Sequence, residues 1–292
     1  MKIETVGVVG CGLMGSGIAE VVSKAEFSIV VCEMSEDLVE AGRQRIDKSL
    51  SRAVERGKLE RTDRNVVLDR LSFSTDLAAL TDCDLVIEAI VEDIKAKNEL
   101  FSTLDGLCGP EAIFASNTSS LTITDMAAAT NRPGRVVGLH FFNPVPVMKL
   151  VEVIRTIATR DDVFDAVFSF TKDLGKQPIS AKDNSGFVVN LLLVPYMLDA
   201  IRHLERGVAS VEDIDRAMTL GLGHPMGPFT LCDFVGIDTL CRISEIMFNE
   251  YREERYAPPP LLKRIVSMGR YGRKSGQGFY DWSEDPPEPL AL

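Results

Sequence analysis

A short β-branched run, Val6 to Val9, gives way to Gly10, Cys11, Gly12, Leu13, Met14 and Gly15, and then to a helix-like stretch ending near Ser23. That pattern predicts strand, glycine turn, helix. A second apolar run, Ser28 to Cys32, ends in Glu33, and Ser35 is placed to cap a helix whose apolar face is read as Leu38, Ala41, Ile46, Leu50 and Val54. Further strand-like runs follow at Leu85 to Ile90, Ile113 to Ala115, Val136 to Leu139 and Leu150 to Ile154, separated by helix-length or loop segments. Strands alternating with helices predict a mostly parallel sheet covered on both faces.

Strand signals largely stop after Ala181, where long helical patterns take over at Phe187 to Glu205, Val211 to Leu220, Ile237 to Tyr251 and Pro259 to Met268. The reading is therefore α/β: a Rossmann-type, doubly wound N-terminal domain over residues 1–183, then an all-α domain over residues 184–292. The closing EDPPEPLAL reads as a frayed tail. Two domains also suit a length of 292 residues.

Composition narrows the function. A hydrophobic share of 45% with 26% charged residues is ordinary for a globular protein. The net charge of -11 argues against nonspecific binding to nucleic acid or an anionic membrane. Residues 1–10 lack the apolar core of a signal peptide, and the longest apolar stretch, Phe187 to Leu198, is broken by Asn190 and Pro195. The six cysteines form no CxxC pair and no zinc-like cluster with His140, His203 and His224. A cytoplasmic protein with reduced thiols and no metal centre is expected.

The glycine turn has a strand before it, a helix after it, and an acidic residue, Glu33, roughly twenty positions on, which is the dinucleotide-binding pattern. Gly10 permits the tight turn, Gly12 lets backbone approach a pyrophosphate, and Gly15 lets the helix pack close to the strand. Glu33 would accept hydrogen bonds from the adenine-ribose hydroxyls and repel a 2'-phosphate, favouring NAD over NADP. In open α/β sheets ligands sit beyond the carboxyl ends of strands, so Glu88 to Glu92, Lys97 and Asn117 are candidates for the nicotinamide ribose or substrate. For Glu88, helix capping or solvation is the competing reading.

Six segments carry a more specific resemblance: GCGLMGSGIA (10–19), ASNTSSL (115–121), GLHFFNPVPVMKLV (138–151), SGFVVN (185–190), HPMGP (224–228) and KSGQGFYDW (274–282). Together, and in this order, they resemble the 3-hydroxyacyl-CoA dehydrogenase family, nearest in size and layout to its short bacterial 3-hydroxybutyryl-CoA members. The resemblance implies reversible oxidation of an (S)-3-hydroxyacyl thioester with NAD as hydride acceptor, in a cleft between the domains. It implies cofactor contacts from Gly10, Gly12, Leu13, Met14, Gly15, Glu33, Glu92, Lys97, Asn117, Asn143 and Lys274. It implies a catalytic set of Ser119, His140, Glu152 and Asn190, and CoA contacts from the helix carrying Ser51, Arg52, Arg56 and Lys58, with Ser119 and Asn190 also touching substrate. A homodimer through residues 184–292 is expected as well, because the helical half has long apolar faces that one Rossmann domain can hardly cover. Ser185 and Leu191 stand where the family often has proline and arginine, which touches local loop shape and acyl preference.

The chemistry agrees with that assignment. Oxidation of a 3-hydroxyl needs a base for its proton, and His140 is the histidine at the end of a predicted sheet strand. Glu152 on the next strand is placed to hold the other ring nitrogen, and charge on the 3-oxygen calls for neutral donors, a role in which Ser119 and Asn190 resemble the family's residues. Each residue taken alone has a plainer role. His140 with Phe141 and Phe142 can fill a core, Glu152 can be an exposed carboxylate, and Ser119 and Ser120 can cap a helix near Thr122. Arg52, Arg56 and Lys58, interleaved with Glu55 and Glu60, can be a solvated face, and Lys274 a flexible basic loop. Other functional readings are the same chemistry on an acyl carrier protein, a non-catalytic crystallin-like nucleotide binder, and a β-hydroxyacid dehydrogenase relying on a lysine of the helical half.

Overall fold

The computed structural model describes residues 2–290, and the chain divides into two compact units, the first closing at Asn184 and the second opening at Ser185. In the first unit the order is β1 (Thr5–Val9), α1 (Leu13–Lys24), β2 (Ser28–Cys32), α2 (Glu36–Glu55), α3 (Arg61–Asp69) and β3 (Leu71–Ser74). It continues through β4 (Leu85–Glu88), α4 (Ile94–Leu107), β5 (Ile113–Ser116), α5 (Ile123–Ala128), β6 (Val136–Phe141), β7 (Leu150–Arg155), α6 (Asp161–Asp173) and β8 (Gln177–Lys182). The sheet order is β3-β2-β1-β4-β5-β6-β7-β8, parallel except where β6 meets β7. The order reverses between β1 and β4, the place where a doubly wound sheet opens its ligand crevice.

β1, β4, β5 and β6 are buried almost end to end, as strands covered on both faces must be. Their side chains join Ile18, Val22, Ile46 and Leu50 of the covering helices in one core. The predicted central strands are all present. Two edge strands had no signal: β3 is a four-residue LSFS, and β8 carries Pro178 among polar residues, which only an edge position tolerates. Ser35 does cap α2, accepting from the Leu38 N–H at 3.4 Å. The buried face of α2 is Val39, Gly42, Ile46 and Leu50, whereas Leu38 is exposed. Gly42 has no side chain because Cys11 lies against it, and a Cβ there would sit 2.3 Å from Sγ.

The second unit contains α7 (Val189–Glu205), α8 (Val211–Leu222), α9 (Pro228–Val235), α10 (Ile237–Tyr251) and α11 (Pro260–Ser267) around Met197, Leu198, Phe229, Leu240 and Phe279. α7 starts two residues later than its apolar pattern because Gly186 and Phe187 both take positive φ, +85° and +50°. This unit is not purely helical: β9 (Tyr280–Asp281) and β10 (Glu288–Pro289) pair antiparallel, and the Leu290 N–H bonds the Phe279 carbonyl. From Glu288 to Leu290 the expected frayed tail is therefore paired chain. Ala291 and Leu292 lie outside the described residues.

Two buried carboxylates hold this unit by collecting backbone N–H groups. Asp233 accepts from Phe279 and Tyr280 N–H, both at 2.9 Å, and from the Trp282 indole at 2.8 Å. Burial pushes its pKa up, and those three bonds only partly oppose the rise. Asp215 accepts from Phe229 and Thr230 N–H and from the Tyr280 hydroxyl. Much of the KSGQGFYDW segment is thereby explained by packing: a Cβ on Gly278 would lie 2.1 Å from the Asp233 carboxylate.

Candidate active site

The glycine turn separates three needs for glycine. Gly10 has φ +92° and its missing Cβ would meet the Ala89 carbonyl, while a Cβ on Gly15 would lie 1.8 Å from the Gly10 carbonyl oxygen. Both are therefore demanded by the protein itself. At Gly12 a Cβ would meet nothing within 4 Å, so the packing of the protein itself does not demand glycine there. Gly12 is also the N-cap of α1, with no side-chain cap bond and no acidic residue in the first turn, which leaves the helix N–H groups and positive dipole end for a phosphate. Glu33 closes the turn, accepting from the Cys11 N–H at 2.5 Å and the Met34 N–H at 3.1 Å. These features fit NAD.

At the ends of β4 and β5 lies a polar network that the sequence only hinted at. Glu88 is fully buried, which overturns its reading as a capping or solvated residue. It accepts from Lys97 Nζ at 2.6 Å and the Ile90 N–H at 2.7 Å on one oxygen, and from the Ser116 hydroxyl at 2.5 Å on the other. Lys97, itself 1% exposed, also reaches Glu92 at 3.2 Å. Glu92 accepts from the Thr118 hydroxyl and, at 3.2 Å each, from the Ser119 N–H and the Ser120 hydroxyl. Burial pushes the Glu92 carboxyl up, but the Lys97 charge, the Thr118 hydroxyl and the Ser119 N–H outweigh it and hold it below the usual carboxylate range. Lys97 thus sits behind Glu92, and Glu92 pins the loop that carries Ser119.

Ser119 and Ser120 do not cap α5. Asp183 does, accepting from the N–H groups of Ile123 and Thr124 at 2.9 and 2.6 Å. Asn117 accepts the Phe141 N–H at 2.9 Å, tying the exit of β5 to the residue after His140.

The β6–β7 register sets His140 directly opposite Glu152. Their side chains meet on one face of the sheet, Nδ1 to Oε2 at 2.6 Å, with Glu152 fully buried and His140 at 6% exposure. The Phe142 ring leans against the imidazole, centroids 4.4 Å apart. An ionised carboxylate can only accept, so with Glu152 in that form Nδ1 is the donor in this contact and Nε2 is the other ring nitrogen.

A cavity of about 840 Å³ opens between α1, α2 and the Asn143–Val147 loop, and none of His140, Glu152 and Ser119 lines it. Its wall holds Arg45, Lys48, Ser49 and Arg52 of α2 and Arg56 at its C-cap, with Lys58 and Lys24. Positions 45, 48, 49, 52 and 56 share one helical stripe, and that spacing was the signal for Ser49, Arg45 and Lys48, which sequence reasoning missed. Ser51 is corrected: it faces a second cavity with Glu55, Arg61 and Arg64, and accepts from Arg64 Nε at 3.2 Å. Glu55, the residue that favoured a merely solvated face, is on that other side as well. Asn143 lines the basic cavity.

Residues 5–184 match the NAD binding domain of 3-hydroxyacyl-CoA dehydrogenase, and residues 186–282 match that enzyme's C-terminal domain. The chain belongs to the 3-hydroxyacyl-CoA dehydrogenase family. It is an NAD-dependent oxidoreductase. A Mycobacterium tuberculosis 3-hydroxybutyryl-CoA dehydrogenase is 54% identical over 96% of this chain and 99% of its own. The human mitochondrial hydroxyacyl-coenzyme A dehydrogenase is 47% identical over 96% and 91%. Among solved structures, the (S)-3-hydroxybutyryl-CoA dehydrogenase of Ralstonia eutropha superposes with a TM-score of 0.93 at 42% identity, covering 97% of this chain and all of its own.

In the second unit of this dehydrogenase, Asn190 is the second residue of α7, just after the left-handed Gly186–Phe187 turn. Lys274 pairs with Asp238, near the start of α10, at 2.7 Å and lies over the Tyr271 ring. It is therefore a held side chain and not a loose basic loop. His203 bonds the Asp199 carbonyl on the exposed side of α7, and His224 meets the Tyr196 ring edge-on.

The dehydrogenase should tell its glycines apart. Gly12→Ala is expected to leave the melting temperature within about 2 °C while weakening NAD binding tenfold or more. Gly15→Ala should cost at least about 3 kcal/mol, roughly 6–12 °C in melting temperature. Calorimetry with an NAD titration checks both, and equal effects would refute the division. A second expectation concerns acid. Because folding lowers the Glu92 pKa, its contribution is present above the ordinary value near ~4.3 and is lost as pH falls through the folded value. Melting temperatures measured from about pH 7 down to 3 should therefore fall more steeply for the wild type than for Glu92→Gln.

Proposed function

We propose that this protein oxidises a short-chain (S)-3-hydroxyacyl-CoA, such as 3-hydroxybutyryl-CoA, reversibly to the 3-oxoacyl-CoA. The observation that carries the reading is the His140 Nδ1–Glu152 contact at 2.6 Å. Glu152 holds the ring so that Nε2 takes the 3-hydroxyl proton, and it steadies the imidazolium that results. NAD, when bound, supplies the hydride acceptor. Ser119, fixed through Glu92, donates to the oxygen as it gains charge. Asn190 as a second donor rests on the family resemblance. The basic stripe from Arg45 to Arg56, with Lys58 and Ser49, suits the phosphates of CoA, since guanidinium and ammonium groups recognise phosphate through charge-assisted bonds. That stripe stands against a chain of net charge -11.

NADH formed from (S)-3-hydroxybutyryl-CoA and NAD reports the activity by absorbance. His140→Ala is expected to lower kcat by about 10²- to 10⁴-fold. An unchanged rate would defeat the base assignment. Running the same acyl group on an acyl carrier protein separates the two carriers, and faster turnover of the carrier-bound form would overturn the CoA reading.

The reading includes a homodimer through the second unit. Leu192, Leu220, Leu222 and Met268 are each at least 66% exposed there, an apolar surface that a second copy would cover. Sedimentation at micromolar concentration should give a dimer near twice 32.1 kDa. A stable monomer would refute it.

A further inference from the structure

The basic cavity has a second wall. Besides the cations of α2, the stretch Asn143 to Val147, in the connection from β6 to β7, lines the same space. That stretch has little with which to hold itself. Pro144 and Pro146 have no N–H to donate, and the Val147 and Met148 N–H groups share one acceptor, the Pro144 carbonyl, at 2.9 Å each. Val147 is 70% exposed, so no core fixes it. Val145 is the buried member, and it packs where α1 has Gly17: a Cβ on that glycine would lie 2.9 Å from the Val145 Cβ.

Lys176 reaches this stretch from another part of the chain. It follows Gly175, whose φ of +72° turns the backbone out of α6. Its Nζ donates to the Val145 carbonyl at 2.5 Å and to the Met148 carbonyl at 2.8 Å, and the neighbouring Gln177 N–H donates to the Lys149 carbonyl at 2.8 Å. One ammonium thus bridges two carbonyls three residues apart, on either side of the exposed Val147. Burial pushes the Lys176 pKa down and so does the charge of Lys24, with Glu20 opposing. A half-buried ammonium near another cation is unfavourable by itself, and two charge-assisted bonds are what it gains in that position.

We propose that Lys176 is a positioning residue that pre-forms the Asn143–Val147 wall of the basic cavity, so that a phosphate-bearing ligand held by the α2 cations meets a wall already ordered. Its effect is on affinity, because a loop ordered in advance does not have to be ordered by the ligand. The ligand class rests on the CoA reading of the cavity, whereas the clamp itself rests on the two carbonyl contacts.

The experiment compares the full-length wild type with Lys176→Met and, for the cationic wall, Arg52→Met. Calorimetry gives dissociation constants for free CoA and for NAD, and hydrogen exchange of the peptide spanning residues 143–149 is followed without ligand. Lys176→Met is expected to weaken CoA about three- to thirtyfold and to leave NAD within about twofold. Exchange in that peptide should quicken about tenfold or more, with the peptides of β1 and β4 unchanged. Unchanged exchange, or unchanged CoA affinity beside faster exchange, overturns the proposal. CoA and NAD weakened alike would mark a general loss of structure and overturn it too. Wild-type protein that does not bind CoA, or Arg52→Met that binds it as tightly as wild type, refutes the CoA reading instead, and exchange alone then decides the clamp. If Lys176→Met does not fold, as judged by circular dichroism, Lys176→Gln takes its place, since a neutral amide is a weaker donor to the same carbonyls. Exchange and CoA affinity both unmoved in that variant overturn the proposal.

Discussion

One antiparallel pairing in an otherwise parallel sheet determines what this site can do. Because β6 and β7 run in opposite directions, His140 and Glu152 fall directly opposite each other and their side chains leave the same face. A shift of one residue would turn every side chain of β7 to the other face and separate the pair. The register is held from both flanks: β6 lies beside β5 and is tied to it by the Asn117 bond to Phe141, and β7 lies beside β8 over six residues. The orientation of the imidazole is thus a property of the sheet.

The negative charge of the chain is put to work inside it. Asp84 accepts the N–H groups of Glu4 and Thr5, Asp183 those at the start of α5, Asp215 those at the start of α9, and Asp233 those of the Phe279–Tyr280 segment. Each carboxylate satisfies donors that the backbone leaves unpaired, which is the condition for burying Asp215 and Asp233, while Asp84 and Asp183 are half-buried. The same arithmetic governs the six cysteines. All are buried, and burial pushes the Cys11 and Cys83 thiols up to about 12 and Cys32 to about 11, so they behave as small apolar side chains. Arg45, Lys48 and Arg52 form a basic stripe along α2, where the local sign opposes that of the chain. One helix therefore serves two purposes, with Val39, Gly42, Ile46 and Leu50 packing the core and Arg45, Arg52 and Arg56 lining the cavity.

Much of this was legible in the residues, and the exceptions share a cause. The central strands, the glycine turn, the Ser35 cap and the long helices declare themselves through period and composition, because a strand buried on both faces must be apolar and a tight turn must be glycine. The two edge strands did not, since β3 and β8 are short or polar and exist only by pairing with a neighbour already in place. Glu88 had the same difficulty, because nothing local distinguishes a solvated carboxylate from one enclosed by a lysine nine residues on and a serine on the next strand. Ser51 and Ser49 differ by two positions, about 200° around a helix, and only the placement of α2 against α1 decides which of them meets the cavity.

Local chemistry was settled by the chain alone: which backbone turns without a side chain, which helix starts at a serine, and which residue types are available as base, carboxylate and donor. Partnership was settled by folding. That Glu152 lies across from His140, that Asp183 and not Ser119 starts α5, and that Lys97 is enclosed between two carboxylates all depend on segments far apart in sequence meeting at fixed register. Such meetings are set by packing and by the need to satisfy every buried polar group, and no window of neighbouring residues contains that information.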